Sequence, residues 1–386
     1  LDFNFIKRLK TDYQTINDVI ETSQKFILKQ GIKEKDGNKK IDVSELVGLD
    51  YIKTENVQQF YIKPSTSKWA LKQVGYCYKN RAIFKAPILL ITEGTTSSFQ
   101  AVSAVSYSDG VYKSSLTGIK AIGENTINTL RLISGVLNSS LFSYYNLMTF
   151  SSSGIEREQT HDEEKLNIPF IESEQISNIV KKIETLYVEK FQQTLEYPLI
   201  QDAINKEHDK LNNAICNAFS LTEEEITLLR YTVDMTIPIQ TRHKGFEKLL
   251  LPFEYEEPAL LDYAQLFLNR FQSNLSNTHR KFVVEIWYTK QIIGMFFKVI
   301  PIDEYKDDFI WINKQEDTSG ILQVLISIGS SEITDKLFVK KDIRGFEKDY
   351  FYIFKPNEKR LWHQAVGYLD VDEFSDAILR AGRDRR

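Results

Sequence analysis

The chain has 386 residues, 42% of them hydrophobic and 26% charged, with a formal net charge of −4. That length predicts two or three globular units, each with its own core, and the charge excludes a globally basic nucleic-acid binder, so any polyanion must be met by locally gathered lysines and arginines. Cys77 and Cys216 stand alone without a CxxC, which argues against a disulfide framework or thiolate zinc site and points to a reducing, cytoplasmic setting.

No apolar run approaches the roughly 18 to 20 residues of a membrane span, and no secretory signal is present, so no membrane partner is expected. The first residue is Leu rather than Met, and an upstream part of the protein is expected.

In chain order, residues 1 to 30 open on "LDFNFIKRLK" and continue as a helix in which Ile16, Val19, Ile20, Phe26 and Ile27 keep a three-to-four spacing. From Gly31 to Ile122 short β-branched or aromatic runs ("FYIK", "APILLIT", "QAVSAVS") alternate with Gly, Asn, Asp and Pro, the pattern of a β-rich module. Helical periodicity returns after Asn125, with "TLRLISGVLNSSLFSYYNLM" as the body of one helix and Asn138, Ser139, Ser140 and Ser143 as small polar interruptions. A helix opens at Ser173. Another carries the stripe Ile200, Ile204, Leu211, Ile215 and Phe219, and Thr222 with Glu225 forms a capping box for a third.

After Pro238 the connector "TRHKGFEKLLLPFEYEEP" marks a boundary. Beyond it lie a helix over 258–276, two strands in "KFVVEIWYTKQIIGMFFKVIP", the strands "FIWINK", "ILQVLISIG", "KLFVKKDI" and "YFYIFKP", and a last helix capped by Asp372. The fold class is therefore α+β: a β-rich domain with flanking helices over 1–172, a helical hairpin or bundle over 173–240, and a C-terminal α+β domain over 241–386.

The common catalytic signatures are missing. There is no GxxxxGK loop, GxGxxG, HExxH or GxSxG. His161, His208, His243, His279 and His363 lie far apart in the chain, and the acidic triplet Glu223 to Glu225 is explained by the dipole of the helix it opens.

One charge pattern stands out. Between Glu55 and Glu93 there is no acidic residue, while Lys63, Lys68, Lys72, Lys79, Arg81 and Lys85 are basic and are interleaved with Phe60, Tyr61, Trp69, Tyr76, Tyr78 and Phe84. Such a tract can follow a phosphate backbone and stack on bases, although half of these aromatics are expected to be the core side of short strands. The candidate DNA-contacting residues are Lys63, Lys68, Trp69, Lys72, Lys79, Arg81 and Lys85, joined by Ser152, Ser153 and Arg157 of the "SSSGIER" loop.

Four passages carry a family resemblance: "GIKEKDGNKKIDVSELVGLDYIKTENVQQFYI", "FKAPILLITEGTTSSFQAVSAV", "NTLRLISGVLNSSLFSYYN" followed by "KLNIPFI", and "HDKLNNAICNAFSLTEEEITLL". In this order they resemble the target-recognition domain that follows the catalytic domain in type I and type IIG restriction-modification adenine methyltransferases. The likeness covers roughly residues 25 to 230. Thr92 and Glu93 stand where that family often has basic residues, and Ser220 where it often has Gly.

The resemblance implies sequence-specific binding of double-stranded DNA as part of a larger adenine-specific DNA methyltransferase, restriction-modification or bacterial phage-defence protein. It also implies the catalytic domain or other defence-system subunits as partners. The D/N-P-P-Y/F tetrapeptide that such enzymes use on a flipped base is absent, since none of the nine prolines is followed by another. By itself the chain is expected to be non-catalytic and to carry no cofactor, with S-adenosylmethionine expected in the missing catalytic domain.

The C-terminal "YFYIFKPNEKRLWHQAVGYLDVDEFSDAIL" resembles the closing segment of some large methyltransferase-like proteins of bacterial defence loci, where Lys355, Arg360 and Trp362 could touch DNA or a partner. The alternative to DNA recognition is a protein-interaction scaffold subunit of a defence complex, in which the basic tract is a solvated face.

Overall fold

The computed structural model describes all residues except 1, 24, 124–125, 151–161, 193–196, 305–306, 315–341, 348–349 and 384–386. The chain divides into two compact units, Leu1–Thr241 and Arg242–Arg386. Mixed helix and open sheet make the fold class α+β, as the sequence predicts.

In the first unit, α1 (Asp2–Asp12) and α2 (Ile16–Ser23) precede β1 (Phe26–Gln30). Phe26 and Ile27 thus belong to a strand, not to the helix that their spacing suggests. The reason is tertiary: β1 is an edge strand whose residues pair antiparallel with β10 (Leu116–Ala121), Phe26 opposite Ala121 and Leu28 opposite Ile119.

The sheet has the order β1-β10-β7-β8, with β7 at Ile88–Thr95 and β8 at Ala101–Ser106. Successive side chains of β7 point to opposite faces. Leu89 and Ile91 enter a core shared with the helices, and Ile88 and Leu90 enter a second core with the short segments of residues 32–84. A sheet covered on both faces calls for a continuous apolar strand rather than an alternating one, which accounts for "ILLI".

Those short segments are held by three small pairs. β2 (Ile41–Asp42) joins β6 (Gln73–Val74), β3 (Asp50–Ile52) runs parallel to β9 (Gly110–Tyr112), and β4 (Val57–Gln58) joins β5 (Tyr61–Ile62).

On the opposite face the expected single helix is two, α3 (Ile127–Leu137) and α4 (Ser140–Thr149). The polar interruptions are the break. Ser139 leaves helical geometry and its hydroxyl accepts the Phe142 N–H at 3.3 Å, capping α4. Asn138 turns its amide to β8 instead.

Next come α5 (Asp162–Leu166), α6 (Glu174–Gln192), α7 (Tyr197–Ala218), α8 (Glu223–Tyr231) and the short α9 (Ile237–Gln240). The stripe Ile200, Ile204, Leu211, Ile215 and Phe219 is buried, and α8 carries the capping box of Thr222 and Glu225. Helix α6 packs so closely on α3 that a Cβ at Gly135 would lie 2.9 Å from Val180 Cγ2.

The second unit is a five-stranded sheet of order β13-β11-β12-β15-β14: β11 (Arg280–Tyr288), β12 (Ile292–Pro301), β13 (Phe309–Asn313), β14 (Ile343–Phe346) and β15 (Tyr350–Pro356). One face packs on α10 (Pro258–Leu275) and α11 (Gln364–Arg383), with Phe267, Phe297, Phe351 and Phe374 at the centre. Asp372 lies inside α11 rather than at its start, because the apolar face begins earlier with Ala365. The stretch "ILQVLISIG" lies outside the described residues, as does most of "KLFVKKDI".

Candidate nucleic-acid interface

The basic tract between Glu55 and Glu93 reads differently once it is folded. Carboxylates from outside the interval reach into it: Lys68 Nζ lies 2.6 Å from Asp50, Arg81 Nε 2.7 Å from Glu45, and Lys85 Nζ 2.7 Å from Asp109. The Lys85 ammonium, the first cause, and the Ala86 N–H hold the Asp109 carboxyl below its usual range.

Arg81 is also a structural tie. It donates to the Asp42 carbonyl at 3.2 Å and to the Tyr78 carbonyl, and approaches Cys77 Sγ at 3.0 Å. Burial pushes that thiol up, so Cys77 is not an activated nucleophile.

The aromatics divide evenly. Phe60, Trp69 and Phe84 are core residues, and Trp69 Nε1 donates to the Leu71 carbonyl at 3.0 Å. Trp69 is therefore removed from any stacking surface. Tyr61 stacks on Phe191, with centroids 4.4 Å apart and planes 9° apart, and Lys63 Nζ sits 5.5 Å from the same ring. Tyr76 and Tyr78 are half-buried, with Lys33 Nζ 6.0 Å from the ring of Tyr76 and Lys29 Nζ 5.2 Å from that of Tyr78.

What remains exposed and without a carboxylate partner among the described residues is Lys72 and Lys79, and the fold adds lysines that the tract does not contain. The segment 33–40 folds back over β6: Lys33 N donates to the Tyr76 carbonyl at 3.1 Å, and Gly75 N to the Glu34 carbonyl at 2.9 Å. Only glycine allows this approach, since a Cβ at residue 75 would lie 2.0 Å from Asp36 N.

Lys33, Lys35, Lys40, Lys72 and Lys79 are all exposed, and among the described residues none lies within ion-pair distance of a carboxylate. Lys40 directly precedes β2 and Lys72 directly precedes β6, so this antiparallel pair carries a lysine at either end, about 10 Å of strand apart. Segment 33–40 and β6 also line an open concavity of about 610 Å³, where Lys35, Lys39 and Lys40 stand beside Glu34 and Gln73.

No protein-family model and no curated protein matches the sequence. One solved structure that does is a chain from work on complex assembly and conformational transition of a type I restriction-modification system. It is 11% identical and covers 56% of this chain, with a TM-score of 0.24. The match spans 44% of that neighbour's length. At that score a shared fold is not established.

The lysines of segment 33–40 escape a reading by charge run because Glu34 and Asp36 lie among them. In the fold Glu34 turns to Lys113 at 2.6 Å and Asp36 to Lys39 at 3.9 Å. The doublet "KK" at 39–40 was the available signal. Ser152, Ser153 and Arg157 lie outside the described residues.

Thr92 and Glu93, noted as departures at the end of β7, offer their carbonyls to Lys165 Nζ at 2.7 and 2.5 Å, deep in the unit. In the second unit Trp362 is fully buried, with Nε1 on the Pro356 carbonyl at 3.0 Å, and Lys355 is buried beside Asp370. Both are core anchors. Arg360 pairs with Glu358 at 2.7 Å. Among the described residues no His, Cys, Asp and Glu cluster could hold a metal, and no helix is long and apolar enough to cross a membrane.

Proposed function

We propose that the first unit is a sequence-specific DNA-recognition module, belonging to a larger adenine-specific DNA methyltransferase or restriction-modification protein of bacterial phage defence. The observation that carries the reading is the surface of segments 33–40 and 72–79, where Lys33, Lys35, Lys40, Lys72 and Lys79 are exposed without carboxylate partners among the described residues. On a chain of net charge −4, such a surface supplies the local positive potential that a phosphate backbone requires. It agrees with the order of family-like passages between residues 25 and 230.

In this reading the lysines fix register on phosphates, and polar side chains of the loops between the small strand pairs read base edges. Lys68 and Lys85 contribute less, since each must first leave a carboxylate. Methyl transfer with S-adenosylmethionine belongs to a catalytic domain of the parent protein or to a partner chain.

The test is titration of the chain with duplex DNA at two salt concentrations. Each phosphate contact removed should reduce the salt slope by about 0.9. Reversing Lys35, Lys40, Lys72 and Lys79 to Glu is expected to abolish binding in 150 mM salt, whereas Lys68→Gln with Lys85→Gln weakens it by less than about tenfold. Salt-insensitive binding, or binding unchanged by the fourfold reversal, would sink the DNA reading in favour of a protein-interaction scaffold.

A further inference from the structure

The first unit also contains a cavity of about 370 Å³ where β5 and β8 meet α6. Its walls are apolar: Ile52, Phe60, Ile62, Val105 and Val188. At its edge is Tyr107, unusually exposed for its size at 53%.

Three ionised groups line it, and their pairing decides what it can hold. Asp50 is matched by Lys68 at 2.6 Å. Glu184, buried on α6, is matched by Arg131, whose Nε donates to Oε2 at 2.9 Å. Lys63 has no carboxylate within ion-pair distance among the described residues. Once Lys68 and Arg131, which pair with the two carboxylates from outside the lining, are counted, one positive charge is left unmatched, which disfavours an amine or guanidinium guest.

Glu184 holds the second clue. Both hydrogen bonds it accepts, from Arg131 Nε and from the Tyr107 hydroxyl at 2.7 Å, fall on Oε2. Its Oε1 accepts none among the described residues. That oxygen is reached by solvent rather than buried without a partner, so within the mostly apolar lining it is an acceptor that a neutral N–H donor can engage. The apolar walls and Tyr107 fit a flat ring, and the volume is that of a small-ligand site. Lys63 beyond them fits an anion.

The geometry points to a nucleotide-binding pocket: a nucleobase bearing an exocyclic amino group sits between the apolar walls, donates an N–H to Glu184 Oε1, and carries its phosphate toward Lys63. This site is independent of the duplex-binding face and does not rest on that reading. A free mononucleotide and an unpaired base within a strand present the same chemistry.

Calorimetric titration of the whole chain with AMP, CMP, IMP and UMP tests the assignment. AMP and CMP are expected to bind about tenfold more tightly than IMP and UMP, whose oxo groups oppose the carboxylate. Adenosine and cytidine, lacking phosphate, should bind several-fold more weakly. Glu184→Gln should reduce the amino-over-oxo preference to within about twofold.

Because Glu184 also anchors Arg131, a second variant, Val188→Trp, fills the cavity from a position 39% exposed and should abolish nucleotide binding while leaving duplex affinity unchanged. If only single-stranded oligonucleotides bind and Val188→Trp weakens them, the occupant is a base within a strand. Binding of none of these probes, equal binding of all four nucleotides, or indifference to Val188→Trp overturns the proposal.

Discussion

Asn138 and Ser103 form a two-way amide pair between the α3–α4 break and strand β8: Asn138 Oδ1 accepts the Ser103 N–H at 3.1 Å, and Asn138 Nδ2 donates to the Ser103 carbonyl at 2.9 Å. Both residues are fully buried. The side chain thus serves the sheet edge as a neighbouring strand would. Asn138→Ala leaves the Ser103 N–H without that acceptor and is expected to destabilise the first unit by about 2–3 kcal/mol. Asn138→Asp should be worse, since it replaces the donor by a buried anion facing a carbonyl. Urea midpoints of the two variants check both the size and the order.

This pair shows what was legible in the sequence and what was not. The 3.6-residue stripe of α7, the Thr222 capping box and the apolar run of β7 depend on neighbours in the chain, and the sequence displays them directly. The break after Leu137 depends on Ser103, 35 residues earlier, so periodicity alone runs one helix through it. Electrostatics failed in the same way. Lys68, Arg81 and Lys85 look unopposed along the chain, but Asp50, Glu45 and Asp109 arrive from elsewhere, while Lys35 and Lys40 look neutralised and have no such partner among the described residues. Charge runs measure sequence distance, whereas phosphate binding depends on distance in space.

Ser220 has φ +48°, in the left-handed region, just past the end of α7. Leu221 N donates to the Cys216 carbonyl at 2.9 Å and Ser220 N to that of Asn217 at 3.0 Å, the bonds of a Schellman end. A side chain there is strained. Relief of about 1 kcal/mol exceeds the added chain entropy of glycine, so Ser220→Gly is expected to stabilise the unit by roughly 0.5 kcal/mol or slightly more. A raised urea midpoint at unchanged slope is the readout; a lowered one shows that the Ser220 hydroxyl contributes more than the strain.

His208 lies within α7 against Phe60 and Tyr187, with ring centroids 5.3 and 6.4 Å away, and its buried Nε2 has no hydrogen-bond partner among the described residues. Burial, the largest cause, lowers its pKa below 6.5, with Asp209 opposing weakly. The unfolded chain therefore takes up this proton first as the pH falls. Stability from the neutral ring is fully present above pH 6.5 and is lost on acidification through the lower folded-state value. His208→Phe should flatten the decline in stability of the first unit as the pH falls below about 6.5, measured by denaturant unfolding at a series of pH values. An unchanged slope would show that other groups govern the acid limb.

Lys355 and Asp370 form the buried pair of the second unit, each side chain only 2% exposed. Lys355 also donates to the Leu361 carbonyl at 3.0 Å and lies 5.0 Å from the ring of Tyr263, whose hydroxyl donates to Asp370 at 2.6 Å. Burial lowers the Lys355 pKa while Asp370 raises it, the first effect being larger. Lys355→Met keeps the length of the chain but removes the cation, leaving Asp370 to Arg344 and Tyr263. Breaking one side of such a pair typically costs about 3–5 kcal/mol. Neutralising Asp370 as well removes a buried charge that has lost one of its two cations, so Lys355→Met with Asp370→Asn should be more stable than Lys355→Met alone. Trp362 lies beside Lys355 Nζ, 5.3 Å from ring centroid to ammonium, and in a Trp69→Phe background the tryptophan fluorescence of Trp287, Trp311 and Trp362 reports the unfolding of this unit. If the double variant is the less stable of the two, Arg344 and Tyr263 depend on the Asp370 charge more than Lys355 does, and the pair is not the main anchor of α11.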